Sequence, residues 1–136
     1  MKYLSLIYVL SLLISALVAA NTPVKNQITI YYFHGYMRCN TCYKMEQYTK
    51  EAVQNYFKKE IETGKIVFKV INYEEKGNEF YIDKYQLYTK SVIVSLSVND
   101  KEIKYKNLDK IWDFVSNKEK FIEYIVNEVK EYLNEL

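Results

Sequence analysis

The chain predicts an α/β fold, a four-stranded mixed sheet flanked by helices with elements in the order β-α-β-α-β-β-α. Three observations predict it. Short β-prone runs alternate with segments whose apolar residues recur at three- and four-residue spacing, the period of a helix with one buried face. The first two runs are separated by a helix-length segment, so they form a right-handed crossover with parallel strands. The last two are separated only by Asn99-Asp100, a hairpin turn.

The elements follow in order. Residues 21–27, with the chain's only proline at Pro23, read as a short exposed lead-in. Ile28 to Phe33 is mostly apolar and β-prone, as a central strand covered on both faces should be. The turn His34-Gly35-Tyr36-Met37-Arg38 leads to a helix from Thr41 to about Glu60, whose inner stripe is Met45, Tyr48, Ala52, Tyr56 and Phe57. Gly64 stops it, and Lys65 to Ile71 is the second strand. A polar bend, 72–78, precedes a short helix through Phe80, Tyr81 and Tyr85. Ser91 to Val98 and Glu102 to Lys106 form the hairpin. Ser116 and Glu119 then make a capping-box pair ahead of a last helix carrying Phe121, Ile122, Ile125, Val126, Val129 and Leu133. Trp112, just before it, reads as core. Residues 28–136 make one domain, with no internal repeat.

The first twenty residues set an expectation about compartment. Lys2, an apolar run from Leu4 to Val18 and the small exit Val18-Ala19-Ala20 read as a secretory signal peptide over 1–20, cleaved after Ala20. The competing reading is a retained anchor. Ser5, Ser11, Ser15 and the small-residue exit favour cleavage, which leaves no membrane segment in the mature chain and places it in the periplasm or outside the cell. No cysteine stands at the cut, which excludes lipidation there. The chain has 19 basic and 17 acidic side chains, Lys2 being the leader's only charge, so the rest is close to neutral. Nucleic-acid binding is therefore not expected. The fifteen tyrosines, Tyr3 and Tyr8 of them in the leader, are read as packing residues with hydroxyls at the boundary rather than as base-stacking platforms.

The chemistry-bearing feature is Cys39-Asn40-Thr41-Cys42, the only two cysteines, set where the first strand gives way to a helix. Backbone N–H groups in a first helical turn lack partners and the macrodipole is positive there, so a thiolate at Cys39 is favoured. A spacing of two residues brings Cys42 to the same side of that turn, within reach of a mixed disulfide formed on Cys39. Arg38 adds a positive charge beside Cys39. An inert structural disulfide, or chance spacing, is the competing reading.

Element order across nearly all of 28–135, together with a CxxC pair at the end of the first strand, resembles the thioredoxin-like superfamily. More narrowly, Tyr32-Phe33-His34-Gly35, then Arg38-Cys39 and Thr41-Cys42 followed by Lys44 and Glu46, resembles a small family of exported bacterial proteins labelled nitrophenyl-compound nitroreductase subunit. That resemblance implies a reductase partner. Three positions depart from the thioredoxin pattern. Arg38 stands where thioredoxins carry tryptophan before the first cysteine, after a turn about one residue longer. No acid lies in Ile28 to Phe33, where thioredoxins bury one beside the resolving cysteine, so proton transfer from Cys42 needs water or another group. The proline that faces the disulfide in thioredoxins is missing, and Ser91 is its counterpart in Lys90-Ser91-Val92. That loss leaves room for metal on the thiols.

His34, the only histidine, is read first as a strand-end polar residue bonded to the loop backbone. Its functional readings are a proton shuttle or a third ligand completing a Cys39/Cys42/His34 site for copper(I) or zinc. Tyr36 and Met37 are expected to shape the loop rim. The resulting expectation is an exported thiol-disulfide redox protein in which Cys39 attacks, Cys42 resolves, and Arg38, His34 and Ser91 support. It requires no cofactor, and its partner is a protein, either a membrane electron relay or a reductase subunit. The alternatives are a metal-binding module on the same thiols and a subunit whose disulfide only staples the loop.

Overall fold

The first strand, β1 (Asn26–His34), lies inside the sheet with β2 (Ile66–Asn72) on one side and β3 (Ser91–Val98) on the other. This is a computed structural model, and it describes residues 25–136. The expected signal peptide, 1–20, and residues 21–24 of the expected lead-in lie outside the described residues. The architecture is α/β, a four-stranded mixed sheet in the order β2-β1-β3-β4 with helices against it. β1 runs parallel to β2, from Ile28 opposite Ile66 to His34 opposite Asn72. It runs antiparallel to β3, which pairs antiparallel with β4 (Lys101–Asn107).

β1 begins two residues earlier than expected. Asn26 and Gln27 pair with Val98 and Ser97, so the end of the lead-in joins the sheet instead of standing free. The hairpin turn is Asn99-Asp100, both with positive φ (52° and 62°), the backbone hand that a two-residue hairpin turn demands.

Alternation along β1 sends Ile28, Ile30 and Tyr32 into the larger core, while Tyr31 and Phe33 go to the other face. The larger core is closed by two helices, α1 (Asn40–Tyr56) and a long C-terminal helix. α1 is shorter than expected. Phe57 leaves helical geometry (φ −128°, ψ 32°) and the chain restarts as α2 (Lys58–Glu62), with Phe57 buried at the joint. Neither glycine nor proline marks that break. Gly64, at φ +74°, then turns the chain into β2, a backbone conformation that costs glycine little.

On the second face lie α3 (Phe80–Tyr85) and a smaller core of Phe33, Tyr85, Leu87 and Ile93, with Tyr31, Ile71, Tyr73 and Tyr81 packed against it. Tyr31 stacks on Phe33 with ring centroids 5.3 Å apart, and Phe33 meets Tyr81 at 5.0 Å. Among the described residues most tyrosines pack in or against the two cores, whereas Tyr36, Tyr43, Tyr56, Tyr88 and Tyr105 are exposed. A short helix, α4 (Ile111–Phe114), precedes α5 (Lys118–Leu133). Trp112 is not core: it is 39% exposed. Nor do Ser116 and Glu119 cap α5. Asn117 does, extended at φ −125° and ψ 97°, its side-chain oxygen accepting from the Lys120 N–H at 3.1 Å. Among the described residues no helix is long and apolar enough to cross a membrane.

One carboxylate ties the second face together. Glu102 of β4 accepts from the hydroxyls of Tyr85 (2.5 Å) and Ser95 and pairs with Lys84 at 3.1 Å, joining α3 to the hairpin. Burial opposes its charge, but the bonds from Ser95, Tyr85 and Lys84 outweigh that and hold its pKa below the ordinary carboxylate range. A depressed folded-state pKa contributes stability above the unfolded value, about 4.3, which is lost as the pH falls through the folded one. Glu102→Gln is therefore expected to cost about 1–2 kcal/mol at neutral pH, and the difference from the parent should shrink on acidification below that point. Urea unfolding at a series of pH values measures both, and a pH-independent difference would contradict the assignment.

Candidate functional site

Beyond β1 the ladder continues for one more step, since the Tyr73 N–H donates to the His34 carbonyl at 2.9 Å. The next residue is Gly35, and a Cβ there would meet the Glu74 carboxylate at 2.7 Å. The missing side chain lets Glu74 close on the loop, where its Oε2 accepts the Tyr36 N–H at 2.5 Å. The loop is thus tied at its start, while Tyr36 and Met37 stand 68% and 83% exposed at its rim.

Cys39 is the N-cap of α1. Its backbone is extended (φ −112°, ψ 170°) and its Sγ accepts from the Cys42 N–H at 3.3 Å, in the place a serine or aspartate oxygen takes at other helix starts. Cys42 sits one turn in, 1% exposed, while Cys39 faces solvent. Both thiols are free. The Cys39 thiol is pushed below its ordinary pKa, first by the hydrogen bond from the Cys42 thiol, then by the Cys42 N–H. Desolvation opposes this lowering, while the Thr41 N–H and the charge of Lys90 reinforce it to a lesser degree.

Lys90, rather than Arg38, is the charged side chain that lowers the Cys39 pKa, and it is the least of the causes. The Arg38 guanidinium instead pairs with Glu46 of α1 and lies 4.2 Å from the centroid of the Tyr43 ring. Its partner is a carboxylate one helical turn past Cys42. Ser91 is buried at the start of β3, opposite Phe33, and its Oγ donates to the Thr89 carbonyl at 2.9 Å. Among the described residues no peptide bond is cis. Trp112 buttresses this strand entry, its indole N–H donating to the Lys90 carbonyl at 3.2 Å.

His34 is half-buried, with Nδ1 bonded to the Gly35 carbonyl at 2.9 Å, the backbone role read first from the sequence. Among the described residues no three His, Cys, Asp or Glu side chains converge to hold a metal ion, so Cys39, Cys42 and His34 are not assembled into the three-ligand alternative. Two tyrosines that sequence reasoning did not connect with the dithiol, Tyr32 in the first strand and Tyr73 in the polar bend, act on or bond to Cys42. Tyr32 donates from its hydroxyl to the Cys42 carbonyl at 2.7 Å, and its ionisation is pushed up by burial and then by the neighbouring Cys42. Tyr73 is pushed up by burial, then by Glu74 and Cys42. The cavities along α5 and beside α2, of about 550, 310 and 320 Å³, are lined by neither cysteine.

No family model matches this chain. A search of curated proteins finds no match either. A solved structure described as "Structure of a malarial protein" aligns with 60% of this chain and 80% of its own, at 17% identity and a TM-score of 0.39, a likeness too slight to carry fold or function.

The geometry makes the two thiols unequal. Iodoacetamide is expected to alkylate Cys39 well before Cys42, and Cys42→Ala should move the pH midpoint of Cys39 alkylation upward by removing the thiol donor. Lys90→Gln should move it the same way by less. A downward shift in either variant would contradict these assignments.

Proposed function

We propose that this is an exported thioredoxin-like thiol-disulfide redox protein that exchanges electrons with a protein partner through Cys39 and Cys42. One observation carries the proposal: an exposed, acidified Cys39 caps the helix that holds a buried Cys42 one turn away, with the Cys42 N–H on the Cys39 sulfur. A structural staple has no use for a solvent-facing thiol with a lowered pKa. The strand order β2-β1-β3-β4, with the dithiol at the end of β1 and Ser91 opening β3, supports the superfamily resemblance. Export rests on the sequence of residues 1–20.

In the reducing direction the Cys39 thiolate attacks one sulfur of the partner's disulfide. That bond breaks, a Cys39–partner disulfide forms, and the partner's other sulfur leaves as a thiolate that takes up a proton. Cys42 then gives up its proton and attacks the Cys39 sulfur, forming Cys39–Cys42 and releasing the partner's second sulfur, which is protonated in turn. Two electrons and two protons pass to the partner, and the oxidising direction is the reverse. The partner is macromolecular because Cys39 lies on open surface beside exposed Tyr36 and Met37, with Lys90 near its sulfur and Tyr88, 87% exposed, two residues from Lys90. A membrane electron relay or a reductase subunit fits such a surface.

Cys39→Ser is expected to reduce exchange with a disulfide substrate to the uncatalysed rate, and Cys42→Ser to accumulate a mixed disulfide visible by mass on a non-reducing gel. A variant lacking both thiols that still supports the partner's electron transfer would overturn the proposal.

A further inference from the structure

Tyr32 is fully buried, and its hydroxyl bonds to the carbonyl of Cys42. Regular helix geometry already offers that carbonyl the N–H of Glu46, four residues on. The phenol therefore fills no orphan acceptor; it adds a second bond to an oxygen with two lone pairs. Phenylalanine would bury the same ring without a hydroxyl that must find a partner in the core. The charge of Arg38 also acts on the Tyr32 hydroxyl, favouring its ionised form against burial. Arg38 in turn is gripped by Glu46 and the Tyr43 ring, with its Nε buried and unpartnered. Strand, loop and helix thus meet at one phenol oxygen, on the buried side of the CxxC turn.

We propose that Tyr32 is the positioning residue for the resolving cysteine: its hydroxyl fixes the Cys42 backbone against β1 so that the buried sulfur lies in line for attack on a disulfide at Cys39. The inference rests on the redox reading above. The step it serves breaks the Cys42 S–H bond and the Cys39–partner disulfide, and forms the Cys39–Cys42 bond; the proton goes to solvent and the electron pair of the broken disulfide leaves with the partner's sulfur. Cys42 is too buried for solvent to guide, so its aim is set by its backbone, and a displacement of about 1 Å at a reacting atom costs up to about a hundredfold in rate. The first attack, by an exposed sulfur tuned by Cys42 and Lys90, does not depend on Tyr32 in this way.

The two steps separate with dithionitrobenzoate as the probe. The reduced protein releases one thionitrobenzoate when Cys39 attacks and a second when Cys42 resolves the adduct. Tyr32→Phe is expected to leave the first phase little changed and slow the second about tenfold, the worth of one buried hydrogen bond. Arg38→Gln should slow the second phase in the same sense, and it carries the test if Tyr32→Phe fails to fold by circular dichroism. An unchanged second phase, or equal slowing of both phases, overturns this inference and leaves the redox reading standing. A parent protein that stops at the Cys39 adduct overturns both.

Discussion

The groups at the dithiol are placed by β1, an inner strand with a neighbour on each edge and a packed layer on each face. Its parallel register with β2 carries Tyr73 and Glu74 to the point where the chain leaves His34. Its antiparallel register with β3 sets Ser91 opposite Phe33, with Lys90 at the strand entry, where its charge acts on Cys39. A slip of one residue would exchange the faces of β1 and take Tyr32 away from Cys42. Burial on both faces makes such a slip costly, because Ile28, Ile30 and Tyr32 on one side and Phe33 on the other would each lose their partners.

The start of α1 has a weak cap. Sulfur is a poorer acceptor than oxygen, and a cap of serine or aspartate would hold the first turn better. The arrangement with Cys39 as cap leaves the thiol exposed while spending its lone pairs on N–H groups that favour the thiolate. The helix is held by its inner face instead, where Met45, Ala52 and Val53 join Phe121, Ile125 and Val129 of α5 in the larger core. The loop before it is anchored by Glu74 at Tyr36 and by Glu46 at Arg38.

Much of the fold was legible in the sequence. The strand runs, the Asn99-Asp100 turn and the apolar stripe of α5 follow from local periodicity, and the structure has them within a few residues. Three misses show what local pattern leaves open. Ser116 and Asn117 are both good cap residues, and only the extended backbone at 117 and its bond to Lys120 separate them. Phe57 continues the helical pattern in type and spacing, yet it breaks the helix because its ring belongs to the core at the joint with α2. Trp112 was misread because an indole on a short helix has no periodicity to reveal whether it faces the core or the loop at Lys90.

The sequence by itself determined the order of the strands and of the main helices, and the placing of Cys39 and Cys42 at a helix start, since spacing and local propensity act over a turn or a strand. Only the tertiary structure decided which groups surround the two thiols. Lys90 near Cys39, Arg38 turned to Glu46, and the hydroxyl of Tyr32 on the Cys42 carbonyl all join different elements. Such contacts are set by strand register and by which face each side chain takes, and neither is written in any single stretch of the chain.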